Sequence, residues 1–91
     1  MTQKEIEIID AKKKAKECLD IFDIKVPMVK MHVLFFYIDT DGGFFINFFD
    51  VRTHDYFTCE YKNGEYNLII NLKNAVGTHI FHASKGGESI D

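Results

Sequence analysis

Apolar residues recur along this chain with two different periods, and the change between them divides it. Over residues 2–22 the spacing is helical. At 100° per residue, Ile8, Ala11, Ala15, Cys18, Leu19 and Phe22 fall on one stripe about 100° wide, with Lys12, Lys13, Lys16, Glu17 and Asp20 largely outside it. Thr2 followed three positions later by Glu5 is the pattern of a capping box. Val26-Pro27 should stop the helix, since the residue before a proline is held out of the α region. The two alanines within the stripe let the helix axis lie close to its partner.

After Pro27 come runs rich in Phe, Tyr, Ile and Val, divided by Asp41-Gly42, Thr53-His54 and Asn63-Gly64. Asp-Gly and Asn-Gly between apolar runs predict two-residue type I′ turns, whose central residues both need positive φ. A two-residue loop at Thr53-His54 keeps one apolar face continuous, whereas a slip of one residue would invert every side chain. Together the turns predict a register. Phe35 faces Phe48, Phe36 faces Asn47 and Tyr37 faces Ile46; Phe48 then faces Cys59, and Ile46 faces Tyr61. Across the last turn Tyr61 faces Tyr66, Cys59 faces Leu68, Phe57 faces Ile70 and Glu60 faces Asn67, with Lys62 and Glu65 a charge pair. A connection over 73–77 leads to a final strand at Thr78–Ala83. The predicted fold is α+β: one N-terminal amphipathic helix packed across an antiparallel β-meander of four to five strands. A single domain over 1–83 and a flexible tail over 84–91 are expected.

This register puts Val29, Met31, Val33, Phe35, Tyr37, Phe44, Ile46, Phe48, Phe57, Cys59, Tyr61, Tyr66, Leu68, Ile70 and Leu72 beneath the helix. The outer face is divided. Its later strands are largely polar, through Tyr56, Thr58, Glu60, Asn67, Ile69 and Asn71. Its first two strands carry Leu34, Phe36, Ile38, Phe45, Phe49 and Val51, interrupted by Lys30, His32 and Asn47. One helix cannot cover both faces of a sheet, and soluble monomers rarely leave apolar patches of several hundred Å² in water. The expected partner-binding residues are therefore Leu34, Phe36, Ile38, Phe45, Asn47 and Phe49.

Charge narrows the choice of partner. The chain of 91 residues carries a net charge of −3, which gives no general attraction to nucleic acid or to an anionic membrane. Residues 1–30 hold seven Lys against six acids, so the cluster Lys12, Lys13, Lys14 and Lys16 reads as the wet side of the helix. Two cysteines, Cys18 and Cys59, are too few for a disulfide framework and read as reduced, buried thiols. The charged beginning MTQKEIEIID and the lack of an apolar run of about 18 residues predict a cytoplasmic protein that does not cross a membrane.

Candidate chemistry is sparse. His79 and His82 lie three apart, a spacing that sends them to opposite faces of a strand, and nothing pairs His32 with His54. A nucleophilic site of a His with Cys59 or an Asp has no spacing to support it. Asp39, Asp41 and Gly42 resemble the start of a calcium loop, but the later oxygen ligands and the closing Glu are missing. Phe45, Ile46 and Phe48 match part of the aromatic motif of RNA-recognition domains, with Asp41 where that motif begins on a basic residue. The expected function is a small non-enzymatic protein-protein interaction domain of inhibitor, immunity or subunit type. It would bind another protein or form a homodimer, with no catalytic residue, metal or cofactor. Two alternatives stand: a small His-dependent enzyme or ligand-binding domain using His32 and Asn47, and nucleic-acid binding through the helix lysines.

Overall fold

The structure, a computed structural model, describes residues 1–71 and 78–84. The inward position expected of Leu72, the connection at 73–77 and the tail beyond Ser84 lie outside these residues. Helix α1 (Gln3–Ile21) starts where Thr2 accepts a hydrogen bond from the Glu5 amide at 3.2 Å. Its end is set four residues before the proline. Asp23 takes φ 56°, and the Ile24 amide donates back to the Leu19 carbonyl at 3.0 Å, closing the last turn as a left-handed cap. Pro27 instead leads into a 3₁₀ turn at Met28–Lys30. Val29 sits on that turn, 82% exposed rather than beneath the helix.

Five strands follow: β1 (Met31–Ile38), β2 (Phe44–Asp50), β3 (Tyr56–Lys62), β4 (Glu65–Asn71) and β5 (Thr78–Ser84). All neighbours are antiparallel, in the order β1-β2-β3-β4-β5, so the chain is an α+β fold with one helix on a five-stranded meander. Asn63 at φ 53° and Gly64 at φ 81° form the expected tight turn, and β3 meets β4 in the predicted register from Phe57↔Ile70 to Lys62↔Glu65.

The middle hairpin differs. Its loop is Val51–His54, four residues rather than two, because the Asp50 amide donates to the Asp55 carbonyl and the His54 amide to the Asp50 carbonyl. Phe48 therefore faces Phe57, and Ile46 faces Cys59. A shift of two residues preserves which side chains point inward, so the faces of β2 and β3 stay as predicted.

α1 lies on the inner face. Ala11, Ala15, Cys18 and Leu19 are buried against Phe44, Ile46, Phe48, Phe57, Cys59, Tyr66, Leu68 and Ile70. Phe48 and Phe57 stack with ring centroids 4.9 Å apart. Cys18 and Cys59 meet at the seam between helix and sheet. A hydrogen bond with Cys18, together with burial, pushes the Cys59 thiol well above its usual range and holds it neutral. Tyr66 donates to the Glu17 carboxylate at 3.3 Å, and burial and that charge raise its hydroxyl to about 12. Tyr61 lies against Tyr66, ring centroids 4.6 Å apart.

Asp50 is the buried charge of the described residues, 1% exposed. Its carboxylate accepts from the Arg52 amide at 2.9 Å and from both ends of the Arg52 guanidinium fork at 3.2 and 2.9 Å, fixing the loop after β2. The Arg52 fork outweighs burial and holds the Asp50 pKa below the usual carboxylate range. Asp50→Ala should cost about 1–3 kcal/mol at neutral pH, the typical penalty for stranding hydrogen-bonded groups. The sign follows from the depressed native pKa. The contribution is complete above the unfolded value of roughly 4 and lost as pH falls through the native value. Urea midpoints of wild type and Asp50→Ala should accordingly converge as pH falls below roughly 4; a gap that stays constant into that range would show that the carboxylate charge is not what matters.

Candidate interaction surface

The first hairpin decides what the outer face displays. Its loop holds three residues, Thr40–Gly42, with Asp39 and Gly43 paired across it: the Asp39 amide donates to the Gly43 carbonyl at 2.7 Å, and the Gly42 amide to the Asp39 carbonyl at 3.1 Å. Only Gly42, at φ 92°, has positive φ here; Asp41 uses its carboxylate to accept from the Gly43 amide at 3.0 Å. Such a turn closed by a left-handed glycine is the three-residue alternative to the type I′ hairpin. One extra loop residue shifts the register by one, so Phe35 faces Asn47, Phe36 faces Ile46, Tyr37 faces Phe45 and Ile38 faces Phe44.

Every side chain between Phe35 and Ile38 is inverted from the predicted arrangement. Phe36 and Ile38, expected on the outer face, belong to the inner row, where Phe36 packs on the core. Phe35 and Tyr37, expected inside, point outward and are 57% and 47% exposed. The error does not run the length of the strand. The ladder shifts between Val33 and Phe35, a β-bulge that restores the phase, so Met31 is buried and Val33 packs on the core as predicted. Leu34, at the bulge, is exposed.

Two aromatic groups therefore occupy the outer face. Near the first turn, Phe45 is sandwiched by edge contact with Phe35 at 5.9 Å and near-parallel stacking on Tyr37 at 5.7 Å. At the opposite end, Phe49 packs on Tyr56 at 5.3 Å and on His54 at 5.5 Å, while His32 lies opposite Phe49 in the ladder. Between them the Asn47 amide donates to the Thr58 hydroxyl at 3.2 Å. Of the six residues expected to bind a partner, Phe45, Asn47, Phe49 and Leu34 are on or beside this surface, and Phe36 and Ile38 are not. Phe35, Tyr37, Tyr56 and His54 complete it.

Among the described side chains, the candidate histidines and Cys59 lie on opposite faces. His32 and His54 flank Phe49 on the outer face, whereas Cys59 is buried on the inner one. The ladder sets His79 opposite Ile70 and His82 opposite Asn67. Among the described residues no three His, Cys, Asp or Glu side chains group as metal ligands. A hollow of about 210 Å³ lies between the first and last turns, lined by Asp39, Asp41, Gly43, Tyr61, Lys62, Asn63 and Gly64. That is smaller than the roughly 300–1,000 Å³ of small-molecule sites. On the helix, Lys14 pairs with Glu17 and Lys16 with Asp20, at 3.9 and 3.6 Å. No described helix is long and apolar enough to cross a membrane.

Comparison of the chain with protein-family models, curated proteins and solved structures returns no match.

Proposed function

We propose that this chain is a non-enzymatic protein-interaction domain whose working surface is the outer face of β1 and β2. One observation carries the reading: the rings of Phe35, Tyr37 and Phe45 pack on one another on the face opposite α1, with Phe35 and Tyr37 about half exposed. Exposed aromatic clusters of this kind are enriched at the centres of protein interfaces, where they fill pockets at low entropic cost. An inhibitor, an immunity protein or an assembly subunit could act through such a face. The acid-paired helix lysines and the small polar hollow give less support to nucleic-acid binding or to an enzyme.

Phe45→Asp is the decisive change, because it removes the ring shared by both contacts of the first cluster without touching the buried row. In an affinity capture reconstituted from purified chain and candidate partner, Phe45→Asp should weaken binding about 100-fold, the loss expected of a central aromatic anchor. Circular dichroism should be unchanged. Undiminished binding by a folded Phe45→Asp protein would rule this face out.

A further inference from the structure

β1 is an edge strand: among the described residues it is hydrogen-bonded to β2 on one side, and no further chain segment pairs with its other side. Its eight residues, MHVLFFYI, contain no Lys, Arg, Asp, Glu or Pro, the residues by which sheets usually keep their edges from pairing. Charges stand just beyond both ends, Lys30 before the strand and Asp39 after it, both exposed. We propose that β1 pairs antiparallel with β1 of a second copy about a two-fold axis, extending the meander into one continuous sheet. This goes beyond the reading of the outer face, since the contact runs along the strand edge and leaves Phe45 and Phe49 free.

The bulge selects the register. Residues directly opposite in an antiparallel pair share a face. In a regular strand, two-fold pairing can therefore match only residues an even number of positions apart. In β1 the bulge reverses the phase midway, so that Met31 and Val33 share the inner face with Phe36 and Ile38, and His32 the outer face with Phe35 and Tyr37. Odd separations become the matching ones. Met31 then lies opposite the partner's Ile38, His32 opposite the partner's Tyr37, and Val33 opposite the partner's Phe36, with the two Leu34 bulges beside the axis. This arrangement uses every residue of β1. It also brings Lys30 opposite the partner's Asp39, twice by symmetry, so the contact is complementary to itself in charge as well as in face.

A charge swap tests the pairing. Sedimentation equilibrium of the purified full chain at low ionic strength should show a closed dimer. Lys30→Glu or Asp39→Lys alone should weaken it about tenfold, because each substitution turns two modest attractions into repulsions. The double variant should return to within about threefold of wild type, since the pair is restored with its sign reversed. Hydrogen exchange provides a second reading without substitution: β1 amides should gain protection as concentration rises, in wild type and in Phe45→Asp alike. A chain that stays monomeric, as it would if its own C-terminal segment covered the edge, overturns the proposal. So does a dimer indifferent to the swap, or an open-ended assembly. Loss of partner capture by Phe45→Asp with a dimer insensitive to the swap would reject the edge contact and leave the outer-face reading standing.

Discussion

Phe48→Ala should destabilise the domain by about 3–5 kcal/mol, the range for deleting a buried ring. Phe48 is fully buried and stacked flat on Phe57, at the middle of the sheet where α1 crosses. The helix backbone lies close to the sheet at Ala15, whose carbonyl is 4.0 Å from the Cys59 sulfur, and an α-helix held this closely has little freedom to close a cavity beneath it. A domain of this size buries only about 60–65% of its unfolded surface and has little stability in reserve. The expected result is a chain largely unfolded at 37 °C, seen as loss of near-ultraviolet dichroism and of the cooperative urea transition. An unfolding free energy within about 1 kcal/mol of wild type would mean that the cavity collapses and that the packing is far softer than the stacking implies.

Phe36→Asp and Phe35→Asp make the second large contrast, because two adjacent phenylalanines should respond in opposite ways. Phe36 packs on the core opposite Ile46, and a carboxylate there should cost about 3 kcal/mol through lost burial and uncompensated desolvation. Phe35 is more than half exposed and gives up only its ring contacts with Tyr37 and Phe45, so its replacement should cost no more than about 1 kcal/mol of stability. Comparing the two midpoints tests the three-residue loop directly. A two-residue turn at Asp41-Gly42 would exchange the outcomes.

That contrast also shows what could be read from the residues and what could not. The helix, the first four strands and the β3–β4 hairpin follow from local chemistry that admits one answer: a capped amphipathic run, runs of apolar positions between turns, and an Asn-Gly pair whose two residues both take positive φ. Asp41-Gly42 admits two. Asp39 and Gly42 are also well placed as first and last residues of a type I turn, with Gly42 alone left-handed, and that form prevails. Alternation normally settles such a choice, but β1 is apolar on both faces and offers no preference. The same property that marks the strand as a candidate surface hides which half of it faces out. In the middle hairpin the loop holds four residues where the sequence predicts two, yet a shift of two keeps phase, and Phe45, Asn47 and Phe49 are legible as outer residues. Leu34 carries no sequence signal of a bulge; the structure shows it by placing Met31 and Phe36, five positions apart, on the same face of one strand.

The tyrosines are divided between the two sides of the sheet, Tyr37 and Tyr56 outward, Tyr61 and Tyr66 against each other on the helix side. With four Tyr and no Trp, the intrinsic emission of the chain is that of tyrosine alone, arising from two pairs in unlike surroundings. Tyr66, hydrogen-bonded to the Glu17 carboxylate, is positioned for quenching that ends when the helix leaves the sheet. Tyr37, stacked on Phe45 on the opposite face, takes no part in that contact. Lifting the helix from the sheet should therefore change the summed tyrosine emission, so the unlabelled protein carries its own optical report of unfolding.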